Sequence, residues 1–270
     1  RAVEWRRPIL ATFAVFVIFA PIYFVFIGGF MTNEQIHHQP PYLIPPTPTW
    51  DNYAEAWSNA RQYMKNSAVI SLGVLAATVL VATPASFAMA KLSLRLERAI
   101  MFLMAFALML PASATVLPLF LIFHRLQLLN SHLGVLIAVS VFTIPFAVVM
   151  LTAYMRSIPS TLIEAAQLDG ASLFSVFFHI VVPIARPAIT TAGLLALLLA
   201  WGDFIFSVSF LQQREIQPMS VGLYTFVGQY GIRWNALMAA SMIYAFPPIV
   251  AVIVAGRALV SGLTSGALKD

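Results

Sequence analysis

Residues 156–188 read RSIPSTLIEAAQLDGASLFSVFFHIVVPIARPA and lie between two long apolar segments. Thr161 and Glu164 have the T-x-x-E spacing of a capping box, which predicts a short helix that begins near Leu162. Gly170 favours the left-handed conformation that ends many helices. The first half of the stretch is therefore expected to be an ordered helix with defined ends.

The second half of the stretch predicts another short helix. Either Asp169 or Ser172 can cap it, and Pro183 and Pro187 are expected to interrupt it. Two short helices joined by a glycine turn form a compact knob. Small residues at its tip let a partner protein approach the backbone closely: Ala165, Ala166, Gly170 and Ala171. The spacing alone allows two explanations. Glu164 and Asp169 either provide charge for a partner, or Glu164 is only a helix cap and Asp169 only a turn residue.

The composition places most of the chain in lipid. Of 270 residues, 60% are hydrophobic and 9% are charged, whereas about 25% of the residues in a soluble domain are charged. Six apolar segments are each long enough to cross a bilayer as a helix: 9–30, 68–90, 99–123, 133–155, 189–211 and 237–260. The sequence therefore predicts an all-α, polytopic transmembrane bundle of six helices in a single domain, 1–270.

Basic residues outside the spans indicate the orientation, because lysine and arginine are enriched on the cytoplasmic side of membrane proteins. The side of the N-terminus carries most of the 15 basic residues: Arg1, Arg6, Arg7, Lys91, Arg95, Arg98, Arg156, Arg186, Arg257 and Lys269. The opposite side carries the others: Arg61, Lys65, Arg125, Arg214 and Arg233. Both termini and the loop 156–188 are therefore expected in the cytoplasm. The net charge of +5 could suggest a nucleic-acid partner. Because basic residues outside the spans mainly set the orientation of a membrane protein, we expect no nucleic-acid partner.

The sequence offers no residues for catalysis or metal binding. The absence of cysteine excludes disulfides and cysteine-ligated metals, and the five histidines have no metal-ligand spacing. No G-x-x-x-x-G-K-[ST] phosphate loop is present. Side chains at catalytic spacing do not occur in or beside the spans. We therefore predict no catalytic residue, no metal and no cofactor bound by this chain.

The first outer segment, 31–65, is polar and rich in proline. It includes Trp50-Asp51-Asn52-Tyr53, in which Asp51 is expected to start a short surface helix. The segment is either a spacer whose aromatic side chains lie at the level of the lipid headgroups or a docking surface for an external partner. Its composition leaves both explanations open.

The knob resembles the EAA loop of the permease subunits of binding-protein-dependent ABC importers. The pattern that carries the resemblance is Glu164-Ala165-Ala166, Asp169-Gly170-Ala171, Phe178, Ile180, Pro183 and Pro187. Similarity to carbohydrate-type permeases related to the maltose system covers nearly the whole chain: Trp50-Asp51-Asn52-Tyr53, Asn66-Ser67, Ala88-Met89-Ala90-Lys91, Leu110-Pro111, Pro118-Leu119-Phe120, Leu129-Asn130-Ser131, Trp201-Gly202-Asp203-Phe204 and 262–269. Gly202 departs from the family pattern, in which asparagine is commoner at that position.

This resemblance implies a type I ABC importer permease fold and a set of partners. An ABC ATPase dimer in the cytoplasm would bind ATP and Mg²⁺ and would receive the knob through Glu164, Ala165, Ala166, Asp169, Gly170, Ala171 and Pro183. A second permease subunit, expected to be a paralogue, would complete the transmembrane pair. An extracytoplasmic binding protein would deliver a sugar or sugar-like solute and would dock on Trp50, Tyr53, Gln229 and Tyr230. The expected location is the cytoplasmic membrane of a bacterium or archaeon.

Asp203 is the one acidic residue well inside a predicted span. Charge in lipid is costly, and it usually faces the bundle interior or a water-filled path. Trp201 and Phe204 beside it are candidates to stack on a sugar ring, so these three residues form a candidate translocation path. Alternatively, Gly202-Asp203 marks a helix break, and the acid pairs with a neighbouring helix.

A function of another class is a secondary transporter or channel that works alone on a small polar solute. Such proteins generally need intramembrane ionisable residues or an inverted repeat. This sequence has one such acid and no clear repeat. The importer permease is therefore the favoured interpretation.

Overall fold

A computed structural model describes the backbone of residues 2–92, 94–228 and 231–267. The fold is helical, as the composition predicts. The helices are α1 Ala2–Gly28, α2 Asn33–Ile36, α3 Asp51–Lys91, α4 Glu97–Met109, α5 Ala112–Arg125, α6 His132–Ser157, α7 Ser160–Leu168, α8 Leu173–Val176, α9 Val182–Trp201, α10 Ile205–Phe210, α11 Met219–Gly222 and α12 Trp234–Ala267. A π-helical turn, Phe177–Val181, joins α8 to α9, and 3-10 turns cover Arg214–Ile216 and Leu223–Phe226. The strands β1 Val227–Gly228 and β2 Gly231–Ile232 pair antiparallel.

Four helical stretches within the described residues are long and apolar enough to cross a membrane: α3, α6, Leu173–Trp201 and Trp234–Gly256. The pair α4 and α5 passes the same test together, although the two helices are bent by 102°. Helix α1 adds a shorter apolar stretch, Val15–Gly28. The chain is therefore a multi-pass helical protein, while the number of six spans stays a prediction.

The predicted third span, 99–123, is wrong as a continuous helix. Helix α4 ends at Met109, and α5 begins at Ala112. Leu110 between them is extended, with φ −75° and ψ 125°, because the residue before a proline is disfavoured in the helical region. Pro111 itself is also extended and precedes the first turn of α5. The break between α4 and α5 therefore follows from Pro111. The apolar composition of residues 99–123 does not reveal the effect of a single proline on the backbone.

The predicted fifth span, 189–211, is also wrong in its bounds. The helical stretch begins earlier, at Leu173, and ends at Trp201. After Gly202 and Asp203, a separate short helix, α10, covers Ile205–Phe210. Asp203 therefore lies at a helix break rather than inside a span.

The expected helix start at Asp51 agrees with the structure, but the helix there is not a short surface helix. It continues without a break to Lys91 as α3. The residues from 51 to 65, expected as part of an outer loop, are therefore helical. Before α3, the segment contains only one helical turn, α2, closed by a capping box between Thr32 and Gln35.

The described residues group into two compact units, one from 1–64 with 221–247 and the other from 65–220 with 248–270. In the first unit, the Asn52 side chain is buried and donates hydrogen bonds to the carbonyls of Gly29 and Met31, at 3.0 and 2.9 Å. Its oxygen accepts a hydrogen bond from the Asn235 amide at 3.0 Å. Asn52 thereby joins the end of α1 to the beginning of α12.

The second unit contains two buried apolar clusters that position its functional segments. One cluster packs the short helix α10 through Phe206 and Phe210 against the residues around Ile70 and Val135. The other cluster joins Met155 near the end of α6 to the segment that begins with α7. The knob predicted from the sequence is part of this second cluster.

Candidate functional site

The first helix of the knob, α7, begins at Ser160, with Pro159 as its N-cap residue. No side chain caps it, so the capping box predicted for Thr161 and Glu164 is wrong. Proline has a φ suited to the start of a helix and lacks the N–H that would otherwise need a partner there. The helix therefore begins two residues earlier than that motif requires, and Glu164 lies within it with an exposed side chain.

The end of α7 is where the sequence predicts it. Gly170 has φ +85°, and two backbone hydrogen bonds close the turn. The Gly170 N–H donates to the Gln167 carbonyl at 3.0 Å, and the Ala171 N–H donates to the Ala166 carbonyl at 2.9 Å. This pair of bonds is the Schellman motif, which satisfies the last carbonyls of a helix. The tip of the knob is thus a closed and ordered turn.

The second helix of the knob, α8, is capped by Ser172, whose hydroxyl accepts a hydrogen bond from the Ser175 N–H at 3.2 Å. The expected interruption by Pro183 and Pro187 is wrong. Helical structure continues from α8 through the π-helical turn into α9. Pro183 directly follows the π-helical turn, at the second position of α9, and Pro187 is accommodated inside that helix.

Buried side chains hold the knob on the rest of the second unit. Ile163 on α7 is 8% exposed, and Val176 and Val181 are fully buried. They pack in one cluster with Met155 and Ile158 at the end of α6. Anchoring of both helices by one cluster makes the knob a rigid projection rather than a flexible loop.

The exposed surface of the knob combines charge, small residues and several large apolar side chains, two of which are the most exposed. Glu164, Ala165, Asp169 and Gly170 are exposed, and Ala166 and Ala171 are half-buried. Leu168 is 89% exposed and Phe174 is 74% exposed. Sequence reasoning missed both of these apolar residues. Leu168 lies five residues, and so about 140° around α7, from buried Ile163, but the sequence alone does not show which face of the helix is buried.

Two polar contacts brace the helix ends behind the knob. The Lys91 ammonium, at the end of α3, donates a hydrogen bond to the Ile158 carbonyl that follows α6. Arg156, also near the end of α6, forms an ion pair with Glu97 at the start of α4. A cation at a helix C-terminus satisfies carbonyls that lack intrahelical partners. These contacts fix the base from which the knob projects.

A cavity of about 490 Å³ lies beside the knob. Its walls are apolar and include Phe87 on α3 and Phe174 and Phe177 on the knob side. Sugars require a dense set of hydrogen-bonding groups, so this lining suits hydrocarbon rather than solute.

The candidate translocation residues lie at the break after α9. Trp201 is buried, at 7% exposed, whereas Asp203 and Phe204 are half-buried. The Asp203 carboxylate accepts hydrogen bonds from the N–H groups of Phe206 and Ser207, at 3.3 and 2.9 Å, and from the Ser207 hydroxyl at 2.8 Å. The alternative of a helix break is therefore correct, but these hydrogen bonds come from the next turn rather than from a neighbouring helix.

The candidate docking residues differ in exposure. Trp50 is 72% exposed. The Tyr53 hydroxyl, in contrast, donates a hydrogen bond to the Phe26 carbonyl at 3.0 Å, and its ring lies 4.6 Å from that of Phe30. Tyr53 thus has a packing role within the first unit. Gln229 and Tyr230 lie outside the described residues.

The family model described as the binding-protein-dependent transport system inner membrane component matches residues 82–263. That range covers more than half of the chain and includes the whole knob. The chain belongs to this family. It is therefore an inner-membrane transport component, and the resemblance of the loop around Glu164 to the EAA loop agrees with this membership.

Relatives of this permease support the assignment along its length. The sulfoquinovosyl glycerol transport system permease protein of Agrobacterium fabrum is 30% identical over 251 residues, which are 92% of this chain and 88% of the relative. The trehalose transport system permease protein of Mycobacterium tuberculosis is 29% identical, over 100% of this chain and 98% of the relative. The similarity is thus not confined to the knob.

Solved structures show the same fold. A chain of a bacterial ABC transporter involved in the import of the acidic polysaccharide alginate superposes with a TM-score of 0.82 at 19% identity. The superposition covers 95% of the permease and 96% of that chain. A chain from the alginate transporter in complex with its alginate pentasaccharide-bound periplasmic protein gives a TM-score of 0.64 at 18% identity. The ABC importer permease fold predicted from the sequence is therefore confirmed.

Proposed function

We propose that this chain is the permease subunit of an ABC importer that carries a sugar or sugar-like solute into the cytoplasm. The observation that carries the proposal is the rigid, exposed knob on α7 and α8, which presents Glu164, Asp169 and Gly170 in the EAA pattern. The carbohydrate part of the proposal rests on the relatives, whose names refer to sulfoquinovosyl glycerol, trehalose and arabinooligosaccharides.

The knob is proposed to dock into a separate ABC ATPase dimer, which would bind ATP and Mg²⁺ in place of this chain. Glu164 and Asp169 would provide charge at the contact, and Ala165, Gly170 and the neighbouring small residues would allow close approach. Leu168 and Phe174 would supply the apolar area, since exposed apolar side chains of this size are typical of contact surfaces. A rigid knob transmits domain closure to α6 and α9, because packed elements move as bodies.

Co-purification of the permease with its ATPase tests this docking. Glu164→Lys is expected to abolish retention of the ATPase and ATP-driven uptake. Ser157→Lys is the control, since it introduces the same side chain at an exposed position just outside the knob, although it changes the net charge by one unit and Glu164→Lys by two. Equal retention of the ATPase by Glu164→Lys and by Ser157→Lys would refute the docking role of the knob.

The other proposed partners lie in the membrane and outside it. A second permease subunit, a paralogue, would pair with this chain, and a solute-binding protein would dock on its extracytoplasmic surface. In this arrangement both termini are cytoplasmic, in a bacterial or archaeal cytoplasmic membrane. Trp50 supports a docking role through its exposure, and Gln229 and Tyr230 are proposed by their position in the segment 212–235.

The solute is proposed to contact Asp203 and Phe204, whereas Trp201 beside them in the sequence is buried. Their position at the break between α9 and α10 supports this role, because irregular backbone at membrane depth occurs where it faces protein or a water-filled cavity. The ligand of the cognate binding protein is the measurement that identifies the cargo. A binding protein that retains only amino acids or metal ions would refute the carbohydrate class.

A further inference from the structure

Asn66 makes an unusual pair of contacts near the middle of α3. Its side chain is 2% exposed. The two hydrogens of its amide group are donated to two carbonyls of one turn, those of Glu215 and Gln217, each at 2.8 Å. The turn contains the 3-10 segment Arg214–Ile216. One buried side chain thus satisfies backbone groups on both sides of Ile216.

Three further side chains hold the same turn. The Ser67 hydroxyl accepts a hydrogen bond from the Met219 N–H at 2.8 Å. The imidazole Nε2 of His132 hydrogen-bonds to the Ile216 carbonyl at 2.8 Å. The Asn130 side-chain oxygen accepts a hydrogen bond from the Gln212 N–H at 2.7 Å. The segment 212–219 is therefore held at its two ends and in the middle.

The surface of this turn is polar and exposed. Gln212, Gln213, Arg214 and Glu215 are all exposed, whereas Pro218 and Met219 behind them are buried. Charges of both signs and two amides beside each other suit contact with a hydrated protein surface rather than with lipid. An exposed segment whose backbone is fixed from behind loses little conformational entropy when it binds.

We propose that Asn66 is a positioning residue that presents the turn 212–217 as a preformed docking element for the extracytoplasmic binding protein. The proposal rests on the proposed function of the chain as an importer permease. Without the two donated hydrogen bonds, the turn samples other conformations, and the binding protein must select the competent one. Asn66 acts through the turn and does not itself contact the partner.

The test uses the assembled importer in liposomes, with ATPase activity followed as the loaded binding protein is titrated. Asn66→Asp keeps the shape of the side chain, but a carboxylate has no hydrogen to donate to the two carbonyls. The concentration of binding protein for half-maximal stimulation is expected to rise about tenfold, the effect of one or two lost hydrogen bonds. The basal rate and the maximal stimulated rate should stay unchanged. Trypsin should also cleave faster after Arg214.

Two further variants complete the design. Gln127→Glu is the matched control, because it makes the same amide-to-acid change at an exposed loop position and should leave the titration curve unchanged. Arg214→Ala alters the presented surface without touching the four anchoring side chains, and it should raise the half-maximal concentration with no change in tryptic stability elsewhere. This variant keeps the test decisive if Asn66→Asp fails to assemble.

The outcomes are separable. Faster cleavage after Arg214 with an unchanged titration curve would overturn the docking role of the turn, as would an unchanged curve for Arg214→Ala. A parallel fall of basal and maximal rates in Asn66→Asp would show a general structural role and would overturn positioning. If the unaltered importer shows no stimulation by any binding protein, the proposed function itself fails, which is a different result.

Discussion

Glycine is required at position 170 by the backbone conformation and not by lack of space for a side chain. Its φ is +85°, and a Cβ built there would have no atom within 4 Å. Left-handed conformations cost L-residues about 1–2 kcal/mol. A methyl group would therefore fit at residue 170, but the turn would be strained.

Gly170→Ala is expected to destabilise the tip of the knob by about 1–2 kcal/mol. Because the change is local, hydrogen exchange of the amides in α7 should rise while that of α6 stays constant. Retention of the ATPase should fall in parallel. Gly170→Asn provides the control, since asparagine tolerates the left-handed region better than alanine does. If alanine and asparagine behave identically, backbone strain is not the cause.

Asp203 has two roles to separate, as the acceptor of hydrogen bonds from the first turn of α10 and as a proposed solute contact. Asn remains a good capping residue, whereas removal of a capping side chain costs about 0.5–2 kcal/mol. Asp203→Asn should therefore preserve thermal stability, and Asp203→Ala should lower it. If the carboxylate also contacts solute, both variants reduce sugar uptake at saturating binding protein. Unchanged uptake and unchanged ligand-stimulated ATPase in Asp203→Ala would remove the solute contact and leave the hydrogen bonds to α10.

At the scale of elements, a buried hydroxyl pair joins α3 to α6. The Oγ1 atoms of Thr78 and Thr143 lie 2.8 Å apart, and both side chains are at most 1% exposed. Hydrogen bonds between membrane helices contribute about 0.6 kcal/mol on average. The pair therefore contributes modestly to stability. It also requires Thr78 on α3 and Thr143 on α6 to lie opposite each other, which fixes the register of the two helices.

Single replacement of Thr78 or Thr143 by valine is expected to cost about 1–3 kcal/mol, because the remaining hydroxyl is left buried without its partner. The double replacement should cost less than the sum of the two, since no unpaired hydroxyl remains. Thermal unfolding of all four proteins in detergent measures the coupling. Strict additivity of the two single effects would show that the hydroxyls do not interact across the helices.

The sequence predicts some element boundaries well and others poorly, for physical reasons. Gly170 ends α7 as expected because glycine is chemically distinct at a left-handed position. The apolar runs 99–123 and 189–211 predict spans by hydropathy, which reports the solvent and not the backbone. Pro111 and Asp203 interrupt these runs through local backbone effects, which an average over twenty residues hides.

Contacts between distant segments could not be predicted either. In the sequence, Asn66 is part of the family-like pair Asn66-Ser67, and nothing near it indicates Glu215 or Gln217, about 150 residues away. Exposure of Leu168 follows from the face on which Ile163 is buried, and that face is known only once α7 is placed. Spacing therefore predicts the knob as an element, while the fold determines what the knob presents.

At the scale of the whole molecule, orientation is the property that decides which partner meets which surface. The distribution of lysine and arginine predicts that the knob faces the cytoplasm and that the turn 212–217 faces outward. The ATPase and the binding protein must meet opposite sides of the membrane. An error in orientation would exchange the two docking proposals.

The absence of cysteine in the sequence makes orientation directly measurable. Leu168→Cys and Gln213→Cys each place a single thiol at an exposed position, the first on the knob and the second on the turn. A membrane-impermeant maleimide added to intact cells is expected to label Gln213→Cys and to leave Leu168→Cys unlabelled until the membrane is permeabilised. The unsubstituted chain is the control for labelling of other groups. Labelling of Leu168→Cys in intact cells would invert the orientation, because a knob outside the membrane has no access to ATP or to an ATPase.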